Sequence, residues 1–364
     1  MRFFTNKLVR MNALLTWPRI LGKLLEKSDL SREEASWAMA QIMSGDSSES
    51  QIGAFMMALR SKGETVDELA GLVDVMLQHS VILDTGSDAV DIVGTGGDMV
   101  GTVNISTMAS IVASAAGVPV MKHGSRSASG KTGSSEMLEV LGIRLDLSPE
   151  RVAEIFGEIG LTFFFAPVFH PAMRHVAPIR KALGVPTTFN FLGPLANPAQ
   201  PVATSLGVAN RSIAPLMAAE MAARGRNALV FRGSDGLDEL TTTGNSEIWL
   251  VQGGEVRLFE LNPVDLGLTI AQLAQLVGGD AHHNAEVAKK LLAGERSGNL
   301  AAIREVVALN AAGGLVAYGL SGVQIETQAD LNAAFAVALT KAFDAIDSGK
   351  AAQKLSEWMS ATQA

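Results

Sequence analysis

The turn Gly94-Thr95-Gly96-Gly97-Asp98, which follows the apolar run Ile92-Val93, is the first stretch whose residue types suggest chemistry. Glycines let a main chain come close to an anion, and unpaired N–H groups at the start of a helix attract phosphate. The small donors Asn104, Ser106 and Thr107 sit where such a helix would open. The turn is not a dinucleotide fingerprint, because G-x-G-x-x-G needs glycine at 99 and the chain has Met99. A second loop, Lys122-His123-Gly124-Ser125-Arg126-Ser127-Ala128-Ser129-Gly130-Lys131-Thr132-Gly133-Ser134-Ser135, contains Lys122, Arg126 and Lys131 and meets no acid until Glu136. That composition suits an anion. Its Gly130-Lys131-Thr132 has the tail of a P-loop, but the motif needs glycine at 125 and finds Ser125. The ATPase reading therefore falls, while phosphate binding stands.

The pair Asp238-Glu239 is the third feature. Adjacent acids in a loop are ordinarily a solvated turn. In a chain with two phosphate-type loops they become a candidate Mg²⁺ site, since Mg²⁺ takes one or two carboxylates and leaves its other positions to water and phosphate. His170 and His175 are five residues apart, about 140° round a helix, and so make no paired zinc face. A buried or capping role is the ordinary reading of each. No G-x-S-x-G elbow occurs, and His79, His282 and His283 have no helpful neighbours.

The elements that must position these groups fall into two textures. Residues 16–80 read as four short helices: Pro18 suits a first turn, and Ser31…Glu34, Ser48…Gln51 and Thr65…Glu68 have capping-box form. Gly45 and Gly63 fall at the expected helix ends. From residue 88, β-branched runs (90–93, 118–121, 162–165, 203–208, 228–231) alternate with helical patterns (104–116, 133–142, 149–159, 171–183, 212–225). That alternation predicts an α/β fold, a mostly parallel central sheet flanked by helices, with a small all-helical domain. The domains expected are 16–85, helical and completed by later helices, and 86–364, α/β. Runs 248–251 and 256–259, joined by Gly253-Gly254, predict a hairpin, and Leu331, Phe335, Leu339, Phe343 and Ile346 mark one buried helix face.

Composition excludes several classes. The chain has 364 residues, no Cys and a net charge of −8, so disulfide frameworks, thiolate nucleophiles and Cys-ligated zinc drop out. Only 18% of residues are charged, against roughly 25% in an average domain, which points to a large buried core and not to disorder. An acidic chain is a poor partner for nucleic acid. No apolar run is read as reaching the roughly 20 residues of a membrane helix, the longest candidate being 108–121. The basic start (Arg2, Lys7, Arg10, Arg19, Lys23) lacks the apolar stretch of a signal peptide, so a cytoplasmic protein is expected, with Met11 a possible alternative start to Met1.

In this order, Gly94–Asp98, Asn104–Thr107, Lys122-His123-Gly124, Asn190-Phe191-Leu192-Gly193-Pro194-Leu195-Ala196-Asn197-Pro198 and Asp238-Glu239 resemble the anthranilate phosphoribosyltransferase family of tryptophan biosynthesis. The resemblance runs from about Thr16 to the C-terminus. It implies transfer of the phosphoribosyl group of phosphoribosyl pyrophosphate (PRPP) to the amine of anthranilate by a homodimer, with Mg²⁺, two ions per subunit. By the same resemblance PRPP falls to Gly94, Gly97, Asp98, Thr102, Asn104, Ile105, Ser106, Thr107, Lys122, His123, Gly124, Ser125, Arg126, Ser127, Ala128, Ser129, Gly130 and Ser134. Ser106, Asp238 and Glu239 would hold the metal. Arg180 would face the anthranilate carboxylate, Gly94 and Ser125 would line that pocket, and His123 and His170 resemble acceptor-tunnel residues. No catalytic acid or base is implied.

Four departures from the family pattern stand out. Ser125 replaces an asparagine expected to touch anthranilate, Met99 a common glycine, Gly130 a usual serine, and Pro186 a usual arginine. They bear on the acceptor more than on the donor. Met99 is expected to stiffen or crowd its loop. Two alternatives remain open: a transferase or pyrimidine nucleoside phosphorylase of the same fold with another acceptor, and a non-catalytic nucleic-acid binder, which the acidic charge opposes.

Overall fold

Ser31, Ser48 and Thr65 each start a helix by the same device. The cap oxygen accepts the N–H three residues on, and the side chain there accepts the cap's own N–H in return. In the computed structural model these helices are α2 (Arg32–Met43), α3 (Glu49–Lys62) and α4 (Val66–Gln78), preceded by α1 (Trp17–Leu25). The structure describes residues 15–83, 85–86, 88–126 and 132–364. The basic start with Met11, and Ser127, Ala128, Ser129, Gly130 and Lys131 of the second loop, lie outside the described residues.

The four helices bury Ile20, Leu24, Met39, Ile42, Phe55 and Leu72. Trp17 packs edge-on against Trp37 and Phe55, with ring centres 5.5 and 5.8 Å apart. Gly63 closes α3 at a φ of +92°, a conformation costly for any residue with a Cβ.

The second compact unit starts with β1 (Val90–Gly94), α5 (Ile105–Ala115), β2 (Val120–Gly124), α6 (Ser134–Val140), α7 (Pro149–Ile159), β3 (Leu161–Phe165) and the short α8 (Ala166–Phe169). His170–Ala196 then belongs with the helical unit. The sequence pattern predicts one continuous helix over 171–183. The structure has a 3-10 turn, Pro171–His175, then a separate α9, Ala177–Leu183. Pro178 is the reason: it lacks an N–H and fits only a first turn, so a new helix starts around it. Thr188 anchors this returning stretch by donating to Glu64 Oε1 at 2.6 Å.

The α/β unit resumes with β4 (Ala203–Gly207), α10 (Ala214–Ala223), β5 (Asn227–Gly233), β6 (Ser246–Gln252) and β7 (Glu255–Leu261). It ends with α11 (Ala281–Leu292), α12 (Leu300–Gly319), α13 (Gln328–Asp347) and α14 (Lys350–Gln363). The seven strands form one sheet in the order β3-β2-β1-β4-β5-β6-β7. The pairs from β3 to β5 are parallel, and β5–β6 and β6–β7 are antiparallel. Strands β1 to β4 are buried almost throughout, as parallel strands covered on both faces must be. Edge strand β7 is largely exposed.

Helix α12 corrects one reading of the sequence. Its 20 residues have a mean hydropathy of 1.5 and are long and apolar enough to span a membrane, but 72% of that window is buried. It packs on α5, α13 and the sheet as a core helix. The expected face of α13 is present: Leu331, Phe335, Leu339 and Ile346 are buried. Phe343 is half-buried under the Arg304 guanidinium, 4.3 Å from its ring centre.

Candidate active site

Strands β1 and β4 are neighbours, but the chain leads away from them in opposite directions across the sheet. Crevices at such a reversal, outside the carboxyl ends of the strands, are where open α/β sheets bind ligands. Here those ends are Gly94 and Gly207, paired in register. A Cβ on Gly94 would overlap the Asp238 carboxylate, and one on Gly207 the Asp238 carbonyl. Both strand ends are glycine because the acidic loop lies directly on them.

That loop is not a solvated turn. Asp238 and Glu239 are only 8% and 9% exposed. Gly96 N–H donates to Asp238 Oδ2 at 2.6 Å, and Ser106 N–H, in the first turn of α5, donates to Glu239 Oε1 at 3.2 Å. The acidic loop thus meets both the glycine turn and the helix start expected to take phosphate. Burial, then the nearby Asp98, pushes Asp238 up to about 7. Burial and Asp238 raise Glu239 well above the usual carboxylate range. Two buried acids repelling each other favour a bound cation.

Lys122 is the cation nearest to hand, and it is 2% exposed. Its Nζ donates to Ile92 O at 2.6 Å and to Ser106 Oγ at 3.3 Å. Burial lowers its pKa, opposed by Asp91, Glu239 and Asp238. Beneath it lies Asp91, fully buried, whose Oδ1 accepts His123 N–H at 3.1 Å and whose Oδ2 accepts Asn197 Nδ2 at 2.9 Å. Asn197 also donates to Met121 O at 2.8 Å. Burial raises Asp91 to about 6, outweighing Lys122 and these donors. β1 and β2 share a register pair only at Val90 and Val120, so these side chains join the strands beyond it.

The other expected donor residues behave in distinct ways. Asp98 Oδ1 accepts Val100 N–H, Thr102 bridges to Val277, and Asn104 Oδ1 accepts from Asn284 Nδ2 at 2.9 Å. Ile105 and Thr107 are buried, each 1% exposed, so their side chains face the core. Gly97 is exposed. Gly124 packs against Ser134 and the Phe163 ring, and Ser134 Oγ donates to Ser125 O at 3.3 Å. Arg126 does not point freely into the site. It forms two bonds to Glu139, of 3.1 and 2.9 Å, and lies 5.7 Å from the Phe165 ring centre. Met99 is 80% exposed at a φ of +61°, a backbone conformation that is strained for a residue with a Cβ.

His170 and Arg180 belong to the helical unit. His170 is buried with its Nε2 3.0 Å from Ala196 O, and burial pushes its pKa down to about 4. Arg180 is half-buried, burial lowers its pKa, and no described carboxylate pairs with it. Pro186 is exposed. In the sequence Asp91 heads the strand that leads into the glycine turn but signals no role of its own, and nothing singles out Asn284 or Asn310. Each is a lone polar residue whose partners are far away along the chain, and only a polar residue inside an apolar pattern hints at them.

Among the described residues no group of three or more His, Asp or Glu gathers that could hold a metal by itself. Two carboxylates and a hydroxyl at a phosphate cradle suit a hard cation that completes its shell with phosphate oxygens and water. An α/β sheet with this site at its switch point, in a chain that also carries a helical bundle, fits the class of two-domain glycosyl transferases. The sequence profiles agree: the glycosyl transferase family a/b domain matches residues 86–352, and the family's helical bundle domain matches residues 18–80.

The chain belongs to the anthranilate phosphoribosyltransferase family. It is 51% identical over 353 residues to anthranilate phosphoribosyltransferase of Leifsonia xyli subsp. xyli, covering 97% of this chain and 100% of the relative. It is similar to the crystal structure of the Thermus thermophilus enzyme, with a TM-score of 0.85, 38% identity and coverage of 95% and 99%. It is also similar to the Saccharomyces cerevisiae enzyme in complex with PRPP and Mg, with a TM-score of 0.85, 29% identity and coverage of 97% and 99%.

Proposed function

We infer that this enzyme transfers the phosphoribosyl group of PRPP to the amine of anthranilate, forming N-(5-phosphoribosyl)anthranilate and pyrophosphate in tryptophan biosynthesis. The observation that carries the reading is the buried Asp238–Glu239 pair, bonded to Gly96 N–H of the glycine turn and Ser106 N–H of α5. The alternatives of another acceptor or a nucleoside phosphorylase give way to relatives matched over almost their whole length.

Departure of pyrophosphate leaves an oxocarbenium-like ribose C1 and gathers negative charge on the leaving oxygens. The main demand is therefore electrostatic, met by groups already in place. Bound Mg²⁺ supplies neutralisation of that charge. Its proposed ligands in this chain are Asp238, Glu239 and Ser106. PRPP is assigned to Gly94, Gly97, Asp98, Thr102, the residues 104–107, the second loop from Lys122 to Gly130, and Ser134. Buried Lys122 offsets the charge of the acidic pair. For Arg126 the Glu139 pairing favours a role in holding the loop.

Anthranilate carries a carboxylate and an amine that is uncharged near neutral pH, so no strong general base is required and none is assigned. Arg180 suits the carboxylate, because its guanidinium is half-buried and has no described acidic partner. Gly94, Ser125, His123 and His170 are the other residues that the family resemblance assigns to the acceptor. Placing these groups converts an encounter into a reaction within one complex. We further propose a cytoplasmic homodimer with two Mg²⁺ per subunit, testable by light scattering and by counting bound metal in the PRPP complex.

Steady-state assay with PRPP, Mg²⁺ and anthranilate tests the activity. Formation of phosphoribosylanthranilate and pyrophosphate in equal amounts is the expected result. Turnover with another aromatic acceptor, and none with anthranilate, would overturn the reading.

A further inference from the structure

Helix α12 carries one fully buried amide side chain in a nearly continuous apolar surface: Asn310, 0% exposed, among Val306, Val307, Ala308, Leu309, Ala311 and Ala312. Burying an amide is costly unless its hydrogen bonds are met, so such a residue needs a partner. Its partner is a single residue of the acidic loop. Asn310 Oδ1 accepts Leu240 N–H at 2.9 Å, and Asn310 Nδ2 donates to Leu240 O at 2.8 Å. The second amide proton goes back to Val306 O at 2.9 Å within the helix. Donor meets acceptor at every contact, which also fixes which amide atom is oxygen.

Leu240 immediately follows Glu239. Asn310 therefore holds both main-chain groups of the residue next to the proposed metal carboxylates. Asp235 ties the two ends of the loop to each other. Asp235 Oδ1 accepts Leu237 N–H at 3.0 Å, while its Oδ2 accepts the hydroxyls of Thr241 and Thr243 at 2.6 and 2.5 Å. Leu237 and Leu240 are both fully buried on either side of the acids. The next turn of α12 also keeps close to the loop: a Cβ on Gly313 would lie 2.8 Å from Leu240 Cδ1.

We propose that Asn310 is a positioning residue for divalent-cation and diphosphate binding, acting through Leu240 to hold Asp238 and Glu239 over the ends of β1 and β4. The proposal rests on the metal-dependent PRPP site proposed above. A general core residue would affect the whole fold. Asn310 acts on one loop, so its loss falls selectively on the metal-bound donor.

The test uses the full-length enzyme with Asn310→Leu, Asn310→Asp and Gly313→Ala, read by calorimetric titration of PRPP with and without Mg²⁺. The Mg²⁺ concentration for half-maximal rate and both KM values are measured alongside. Asn310→Leu removes both bonds at similar volume, and Asn310→Asp turns the donor facing Leu240 O into an acceptor. Gly313→Ala improves helix propensity and presses on two side-chain ends, Leu240 Cδ1 and, at 3.1 Å, Ser205 Oγ, so it is the milder perturbation of the same contact.

For the Asn310 variants we expect PRPP affinity with Mg²⁺ to fall at least tenfold and half-saturating Mg²⁺ to rise at least fivefold. The KM for anthranilate should stay within twofold, and Gly313→Ala should give the same pattern at about two- to threefold. Unchanged Mg²⁺ and PRPP affinities, or equal losses for both substrates, would overturn the proposal. If the Asn310 variants do not fold, a wild-type Mg²⁺ and PRPP response in Gly313→Ala does so. A wild-type enzyme that fails to bind PRPP with Mg²⁺ would instead refute the metal-site reading itself.

Discussion

Buried carboxylates occur in both units of this chain, and their surroundings are opposite. Glu68, in the helical unit, is 0% exposed and saturated with donors: Leu30 N–H at 2.8 Å, Thr65 N–H at 2.8 Å, Thr65 Oγ1 at 3.1 Å and Lys62 Nζ at 2.9 Å. Burial alone would lower the Lys62 pKa, but bonds to Asp29 and Glu68 outweigh it and raise it. Asp238 and Glu239, in the α/β unit, each take a main-chain N–H, and among the described residues the buried cation beside them is Lys122, itself lowered by burial. Both are pushed upward. A buried acid with all its donors in place serves the fold, whereas a buried pair short of positive charge is arranged for a ligand that brings it. The helical unit's acid is complete in itself, and the α/β unit's acids are not.

The sharpest way to break this contrast is to neutralise the α/β acids. Asp238→Asn or Glu239→Gln should reduce kcat/KM by about three orders of magnitude, roughly 4 kcal/mol of barrier. In chelator the Tm should stay level or rise, because an uncompensated buried charge has gone. Activity retained with a clear loss of Tm would place these acids with Glu68. The reverse outcome is expected at Glu68→Gln, which leaves buried Lys62 with only Asp29 and Gly63 O among its described partners and should cost about 3 kcal/mol of unfolding free energy in denaturant titration. At low temperature its folded fraction should keep both KM values near wild type.

A third kind of buried ionisable group stays neutral. His170 is held at about 4, below its ordinary 6.5, by burial. Its unfolded form therefore binds more protons than its folded form across that interval, and its contribution to stability is full above about 6.5 and falls as the pH drops toward about 4. Wild type should lose about 2 kcal/mol more than His170→Gln between pH 8 and pH 5, measured by paired denaturant titrations. Parallel pH profiles for the two proteins would count against a neutral buried imidazole. The smallest effect is expected at Arg180, a half-buried cation of the helical unit with no described acidic partner. Arg180→Ala should raise the KM for anthranilate by about tenfold, consistent with about 1.4 kcal/mol for a charged hydrogen bond. The KM for PRPP should move much less, and the opposite split would remove Arg180 from the acceptor site.

Much of the fold and of the site chemistry is legible in the order of the amino acids. The capping boxes at Ser31, Ser48 and Thr65 form as read because cap and partner are three residues apart. The alternation of strand and helix patterns carries the mostly parallel sheet, and the hairpin at Gly253-Gly254 joins β6 and β7 as expected. Local patterns fail where a helix-breaking residue or a neighbour distant in sequence decides. The pattern over 171–183 does not register that Pro178 opens a new helix, and the search for apolar runs passes over α12, which is long and apolar enough for a membrane span. Arg126 reads as a phosphate cation, and the pairing of its guanidinium with Glu139 on α6 is a contact that the local pattern does not signal.

What the sequence determined by itself is the set of local instructions and the chemical inventory. Caps, turns and strand runs are written within a few residues, and the glycine turn, the basic loop and the Asp-Glu pair supply phosphate and metal chemistry wherever they lie. Only the tertiary structure decided that these groups meet. Asp238 is 142 residues from Gly96, Glu239 133 from Ser106, and Asn310 70 from Leu240. Their charge states follow from the same assembly. A carboxylate in a solvated turn titrates in the usual range, while the same carboxylate laid on two strand ends and sealed by Leu237 and Leu240 loses its water and favours a cation.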